Sequence, residues 1–192
     1  MNACILKETS KGIERITTQD RLLQDRTIMF TEEVTPQSAD ELISALWALE
    51  LEDPDAPIRL CLNSPGGEVS SGLAAYDVIK NLKSPVDTVC IGTAASMASI
   101  LFLAGRERSM YSTTRIMIHD PLLSGLSGSR KALELEEEAK RLMDMRQTIA
   151  SIISERSGNP LKKVLKMTVK DCYLSAVEAL KLGIATKIIG NV

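Results

Sequence analysis

The sequence lacks the features that mark several common classes of protein. Its 23 basic and 25 acidic side chains leave a net charge of −2, so it has neither a basic field for nucleic acid nor a polybasic membrane patch. No apolar run approaches the roughly 20 residues needed to span a bilayer. Residues 1–11 do not show the charged segment and apolar stretch of a secretory signal. We therefore expect a cytoplasmic protein that binds neither nucleic acid nor a membrane.

The four cysteines are widely scattered and include no C-x-x-C pair. This spacing gives no reason to expect a zinc site, a redox pair or any other metal or cofactor. The cysteines are Cys4, Cys61, Cys90 and Cys172, of which Cys61 and Cys90 lie in apolar runs. The pattern favours buried free thiols at Cys61 and Cys90 in a reducing compartment.

What is present is the pattern of an α/β domain. Short apolar runs alternate with segments of helical periodicity, which predicts repeated strand–helix units. We predict strands at 27–30, 58–62, 86–91, 115–118 and 184–189, and helices at 36–49, 69–83, 94–104, 129–157 and 175–183. The helix at 129–157 would be about 42 Å long and should project from so small a protein. Residues 1–20 are polar and are expected to be mobile or dependent on a partner, leaving one domain at 21–192.

Two residues are candidates for acyl-transfer chemistry. The chain has a single histidine, His119, directly after a predicted strand, so any imidazole base must be this residue. Ser96 lies at a predicted strand-to-helix junction among small residues, in the segment Gly92-Thr-Ala-Ala-Ser-Met-Ala-Ser99. Small neighbours let a carbonyl approach, and a helix N-terminus favours negative charge. The same residues could equally serve only to permit close helix packing.

Two further segments are ambiguous when each is considered alone. The glycines of Ser64-Pro-Gly-Gly67 could present backbone N–H groups to an oxyanion, or could form a simple turn. Asp171 precedes a capped helix, where an aspartate is usually solvated. The order in which these elements occur along the chain carries more weight than any one of them.

The order of these segments along the chain resembles that of the ClpP family, the proteolytic subunits of Clp proteases. The resemblance rests on Asn63-Ser-Pro-Gly-Gly67, Gly92-Thr-Ala-Ala-Ser-Met97, Met117-Ile-His-Asp-Pro121 and Asp171-Cys-Tyr-Leu-Ser-Ala176, and it extends from about residue 20 to 190. Arg21-Leu-Leu-Gln-Asp-Arg26 is also similar to the family's segment before its first core strand.

The resemblance implies a fold and an assembly. The fold is a spiral of repeated ββα units, related to the crotonases, with the helix at 129–157 as a protruding handle and residues 1–20 as a flexible axial segment. The assembly is two heptameric rings, stacked as a tetradecamer around a closed chamber. A Clp/Hsp100-type AAA+ unfoldase feeds unfolded polypeptides into it for protein quality control. No cofactor is implied.

The resemblance also implies roles for individual residues. Ser96 becomes the nucleophile, His119 the general base and then acid, and Asp171 the partner that fixes the tautomer of the imidazole. The backbone N–H groups of Gly67 and Met97 become the oxyanion hole. Residues 124–128 would pair with the extended substrate as an added strand; the residues assigned to this contact are Ser124, Gly125 and Leu126.

The chain departs from the family pattern at several places. Arg59 and Cys61 stand where the family often has aromatic residues in its unfoldase-docking groove. Val169 and Lys170 stand where it usually has an acidic residue followed by arginine. The chain is also shorter between serine and histidine and longer between histidine and handle. These differences suggest a divergent paralogue and leave open whether a second ClpP-type subunit is needed for full activity.

Two functions from other classes remain as alternatives. One is a catalytically weak or inactive scaffold subunit of a mixed ring, although such subunits typically lose a member of the triad. The other is a crotonase-like acyl-CoA enzyme, which would need acidic catalytic residues in its cleft. Labelling by a fluorophosphonate separates these possibilities, because only a working serine peptidase is modified at Ser96.

Overall fold

The computed structural model describes residues 4–9, 12–122 and 131–190. The strands of these residues are β1 (Cys4–Thr9), β2 (Gly12–Thr17), β3 (Thr27–Phe30), β4 (Ile58–Ser64), β5 (Val86–Ala95), β6 (Arg108–Tyr111), β7 (Arg115–Ile118), β8 (Cys172–Ser175) and β9 (Lys187–Ile189). The helices are α1 (Thr18–Gln24), α2 (Pro36–Glu52), α3 (Val69–Asn81), α4 (Met97–Ala104), α5 (Ala132–Ser157), α6 (Leu161–Met167) and α7 (Ala176–Lys181).

A mixed sheet forms the centre of the molecule. Its strands β3, β4, β5, β6 and β9 are hydrogen-bonded in that order and all run parallel. The long strand β5 pairs with β6 through its first half, at Thr88–Cys90, and with β7 through its last residues, at Thr93–Ala95. Strand β8 then adds to β7 in the antiparallel direction. Strand β7 lies beside the carboxyl end of β5, and β8 lies beside β7. The residues that follow β5 and β7 and those that precede β8 are therefore brought together there.

The core lies between the sheet and helices α2, α3 and α4. All eight residues of α4 are buried, as its almost uniformly apolar sequence requires. Helix α2 is amphipathic and buries one face, which includes Leu42, Leu46 and Leu49. The prediction of an α/β fold is therefore confirmed.

The long helix α5 has 26 residues, a length of about 39 Å at 1.5 Å per residue. Its buried residues are Ile149, Ala150 and Ile153, all in its second half, where it packs against α4 and α6. The helix predicted at 129–157 thus exists from Ala132 onward, and residues 129–130 lie outside the described part of the chain. Its role as an assembly handle stays a prediction.

Local signals in the sequence predicted several helix boundaries correctly. Thr35 caps α2 with Pro36 at the first helical position, and Ser175 begins α7 with a reciprocal capping box. Gly183, with a φ of 68°, follows the end of α7. Within the described residues, no helix is both long and apolar enough to cross a membrane.

Other boundaries differ from the predictions. Ala94 and Ala95 belong to β5 rather than to the following helix, because they pair with β7. The last strand is only Lys187–Ile189, since the N–H groups of Ile184 and Ala185 donate to Ala179 O instead of to a strand. Strands β1, β2, β6 and β8 and helices α1 and α6 were not predicted, because each is short and carries no distinct apolar pattern or capping signal that was recognised in the sequence. Strands β1 and β2 pair in the antiparallel direction, and the mobility expected of residues 1–20 stays a prediction.

Candidate active site

Ser96 occupies a sharp turn between the end of β5 and the start of α4. Its φ of 52° and ψ of −124° are rarely adopted by residues other than glycine. The turn is held by hydrogen bonds, with Ser96 N–H donating to Met117 O at 2.8 Å and Ser99 Oγ donating to Ser96 O at 2.6 Å. A strained serine at a strand-to-helix turn is the geometry that exposes a nucleophilic hydroxyl.

His119 is placed beside this serine by the pairing of β7 with β5. In that pairing Met117 lies next to Ala95, so the residue that follows β7 reaches the turn at Ser96. His119 Nε2 lies 2.8 Å from Ser96 Oγ, within hydrogen-bonding distance. The imidazole is only 13% exposed, which shields this hydrogen bond from water. The predicted nucleophile and base are therefore in contact.

Asp171 approaches the other nitrogen of the same imidazole. It precedes β8, and its Oδ1 lies 3.8 Å from His119 Nδ1. That distance exceeds the reach of a hydrogen bond, and the carboxylate is 60% exposed. The structure thus brings the three predicted triad residues together, but it leaves the acid about 1 Å short of hydrogen-bonding distance.

Of the two glycines of the predicted oxyanion segment, Gly66 lies against the serine turn and Gly67 lies against Val34. A Cβ on Gly66, whose φ is 92°, would lie 2.5 Å from Ala95 O and 2.7 Å from Met97 N, so only glycine fits there. Gly67 forms a parallel bridge with Val34. The hydrogen bonds of this bridge run from Val34 N–H to Gly66 O and from Glu68 N–H to Val34 O. This arrangement leaves the N–H of Gly67 itself unpaired within the described residues.

Met97 supplies a second N–H group at the same place. As the first residue of α4, it has no partner for its N–H within the helix. Both predicted donors therefore have an available backbone N–H group: Met97 follows Ser96 in the chain, and Gly67 follows Gly66, which lies against the serine turn. On the other side of the glycines, Glu68 caps α3 by accepting from Ser71 N–H. Hydrogen bonds from Ser70 and Ser71 lower the pKa of the Glu68 carboxyl, which is held as the charged cap.

A small pocket, with a free volume of about 20 Å³, lies beside Ser96 and His119. Apart from these two residues and Ser99, its walls are apolar side chains from four helices and strands and the segment after β7, namely Val69, Met97, Ile100, Ile118, Pro121, Ile149 and Ile153. No carboxylate is among the described residues that line it. The residues predicted to pair with the substrate backbone, Ser124, Gly125 and Leu126, lie outside the described part of the chain.

The sequence analysis missed two features next to the site. Ser99 is 1% exposed and fixes the carbonyl of Ser96, although it was treated only as a small neighbour. Asp120, directly after His119, forms an ion pair of 2.6 Å with Arg146 on α5. No spacing rule connects residues so far apart in the chain, so this pair could be found only in the folded structure.

Buried thiols are the remaining reactive groups of the core. Cys61 and Cys90 are both buried, as predicted, at 8% and 0% exposure. Burial raises the pKa of both thiols, so they remain protonated at neutral pH. Cys172, adjacent to Asp171, is half-buried, and burial also raises its pKa. None of these thiols contacts the Ser96–His119 pair in the way a nucleophile would.

The chain also matches a known protein family. A sequence model of the Clp protease family matches residues 10–192, which is nearly the whole chain. The match includes every segment that forms the site, from the glycines before α3 to the aspartate before β8. The chain belongs to the Clp protease family.

Proposed function

We propose that the chain is a serine endopeptidase subunit of a Clp protease that cleaves unfolded polypeptides. The observation that carries this proposal is the 2.8 Å contact between Ser96 Oγ and His119 Nε2, at a strained turn beside a glycine pair. Membership of the Clp protease family supports a peptidase of the ClpP type.

The reaction follows from the positions of these groups. Ser96 Oγ attacks the carbonyl carbon of the scissile bond while His119 Nε2 takes its proton. The N–H groups of Gly67 and Met97 stabilise the resulting oxyanion, and each such donor contributes on the order of 10²–10³ in kcat. His119 then gives the proton to the leaving amine. Water, activated by His119, releases the acyl group from Ser96.

The pocket beside Ser96 supports a preference for apolar residues before the scissile bond. Its walls include Ile100, Ile149 and Ile153, and apolar walls favour an apolar side chain, such as that of methionine or leucine. The free volume of about 20 Å³ is smaller than either side chain, so the walls must separate to admit it. A charged side chain would have no partner among the described lining residues, and burying it unpaired is costly.

The position of Asp171 favours a second candidate, a weakly active subunit that needs a second ClpP-type subunit. At 3.8 Å from His119 Nδ1, the carboxylate neither fixes the imidazole tautomer nor fully stabilises the imidazolium. In this reading, ring contacts of the assembled protease bring Asp171 into hydrogen-bonding distance. The acyl-CoA alternative has no comparable support, because it needs a carboxylate in the cleft and the described residues that line the pocket include none.

A groove on one face of the sheet supports docking of a Clp/Hsp100-type AAA+ unfoldase. This open sheet-face groove, of about 610 Å³, is lined by α1 and by strands β3, β4, β5, β6 and β9. Met29, Val89, Ile91 and Tyr111 give it an apolar floor, but it also carries Arg59, Asp87, Glu107 and Lys187. We propose that these charges weaken the insertion of an apolar loop. Heptameric rings, their stacking as a tetradecamer and a cytoplasmic location remain part of this proposal.

The test of the proposed function is covalent labelling of Ser96. The purified chain is incubated with a fluorophosphonate, alone and with any second ClpP-type subunit from the same organism, and the modified residue is identified by peptide mass mapping. We expect modification at Ser96 that Ser96→Ala abolishes. Absence of labelling in both mixtures would contradict a peptidase, and labelling only in the second would select the weakly active subunit.

A further inference from the structure

The residue after the general base is held by an ion pair that the reaction itself does not use. Oδ2 of Asp120, which follows His119, accepts a hydrogen bond of 2.6 Å from Nε of Arg146 on α5. The side chains of this pair are only 26% and 23% exposed. Another pair on the same helix, Arg141 and Glu137, is 3.6 Å long and 75% and 72% exposed. Water screens the exposed pair much more than the half-buried one.

Arg146 and Asp120 also form hydrogen bonds with the segment that precedes Asp171. Nη2 of Arg146 donates to Leu165 O at 2.9 Å, in the last turn of α6. The N–H of Asp120 donates to Thr168 O at 2.7 Å. Thr168 is 2% exposed and precedes Asp171 by three residues. Asp120 is therefore tied to the end of α6 twice, once directly and once through the guanidinium of Arg146.

These two ties flank the gap between the base and the acid. His119 Nε2 is held on Ser96, so the distance from Nδ1 to Asp171 depends on how the two backbone segments lie relative to each other. We propose that Arg146 and Asp120 are positioning residues, which set this distance by clamping the segment after His119 to the segment before Asp171. The proposal rests on the proposed peptidase function but concerns residues that do not touch the substrate.

Arginine is suited to this clamp for a geometric reason. Its planar fork donates from Nε to one element and from Nη2 to another, which a lysine with a single ammonium group cannot reproduce. Loss of the fork would leave only the backbone hydrogen bond from Asp120 to Thr168 between the two segments, and would remove no group of the reaction. The expected cost falls on kcat rather than on KM, because binding of the peptide does not depend on Asp171.

The experiment compares Arg146→Gln, Asp120→Asn, Arg146→Lys and the Arg146→Gln/Asp120→Asn double variant with the control Arg141→Gln. The control removes the same charge from the same helix at an exposed pair. Two properties are measured, peptide turnover and the NMR signal of ¹³Cε1-labelled histidine. Since His119 is the only histidine of the chain, its signal needs no assignment. Sedimentation and the thermal midpoint are recorded for each protein.

We expect Arg146→Gln and Asp120→Asn each to lower kcat about tenfold or more, because a displacement of about 1 Å can cost 10²-fold. The double variant should be no worse than either single variant, since both substitutions remove the same ion pair between Asp120 and Arg146. Arg146→Lys should recover little, and Arg141→Gln should match wild type. The His119 signal should move in the three single clamp variants and stay in place in the control.

Two results would overturn the clamp. One is a His119 signal that stays in place in Arg146→Gln and Asp120→Asn as it does in Arg141→Gln. The other is a loss of kcat that is additive in the double variant or that follows only the loss of folded or assembled protein. The NMR measurement does not require turnover. If wild type fails to react with the fluorophosphonate while the His119 signal responds to Arg146→Gln, the peptidase proposal fails and the clamp stands.

Discussion

Ile118 lies opposite Cys172 in the antiparallel pairing of β7 with β8, so the next residues in the same register are His119 and Asp171. The base and its acid are thus placed facing each other by the last pair of a ladder, although α5 and α6 separate them in the chain. The ladder ends at Ile118 and Cys172, so its own hydrogen bonds do not fix the distance between His119 and Asp171. This explains how the two side chains can be aligned and still lie 3.8 Å apart.

Replacement of Ser96 by alanine should abolish peptide cleavage. Loss of the nucleophile of a serine triad commonly costs on the order of 10⁴–10⁶ in kcat. The change from serine to alanine is small, so the fold should stay intact. Hydrolysis of a short apolar peptide gives the measurement. Ser44→Ala, at an exposed position of α2, is the control and should match wild type. More than about a tenth of wild-type activity in Ser96→Ala would rule out this nucleophile.

Gly66→Ala should be far more damaging to activity than Gly158→Ala. Both glycines have positive φ, 92° and 73°, but a Cβ on Gly66 would meet Ala95 O and Met97 N, whereas one on Gly158 meets nothing within 4 Å. We expect a loss of about 100-fold or more in kcat for Gly66→Ala, because the oxyanion donors move. Gly158→Ala should lower only the thermal midpoint. Equal turnover of the two variants would contradict the oxyanion assignment.

An aromatic residue at Arg59 should strengthen docking of an unfoldase. Arg59 lines the sheet-face groove, and large aromatic anchors supply much of the binding energy at such sites. We expect Arg59→Tyr to bind a hexameric Clp/Hsp100-type ATPase more tightly, measured by biolayer interferometry. Lys162→Tyr, on α6 outside the groove, should leave binding unchanged. Robust degradation of folded protein by the wild-type chain with that ATPase would show that the groove is already sufficient.

The Val169→Asp/Lys170→Arg double variant should raise both assembly and activity. Val169 is 63% exposed and cannot form an ion pair, and lysine lacks the fork of arginine. An exposed pair contributes only about 0–1 kcal/mol, yet a few tenths repeated around a ring favour two stacked rings by about tenfold or more. Analytical ultracentrifugation and peptide turnover measure the effect. Wild-type protein that already forms fully active double rings at micromolar concentration would contradict it.

The three described thiols should differ in reactivity. Burial raises the pKa of Cys90 and of Cys61, so little thiolate forms in the folded protein at pH 8. Cys172 is half-buried and should be alkylated faster than either. Peptide mapping after a short treatment with iodoacetamide distinguishes them, and guanidinium should make all three react alike. Rapid native labelling of Cys90, which is fully buried, would indicate that β5 opens.

The local signals of the chain were sufficient for part of the fold. Thr35-Pro36 and Ser175 define helix starts through hydrogen bonds to residues three positions away, so their effect is visible in a short window. The turn at Ser96 was also placed correctly between a strand and a helix. Strand β8 escaped prediction because its four residues are stabilised by β7, more than 50 positions earlier, rather than by their own pattern.

The sequence by itself determined which groups are available for chemistry. The single histidine is the only candidate for an imidazole base, whereas Ser96, Asp171 and the glycine pair were singled out by the resemblance to the ClpP family rather than by their own patterns. Only the tertiary structure decided how these groups meet. The contact of Ser96 with His119, the gap to Asp171 and the Asp120–Arg146 link all depend on strand register and helix packing. Such distances are set by many weak contacts between remote segments, which no local pattern of residues records.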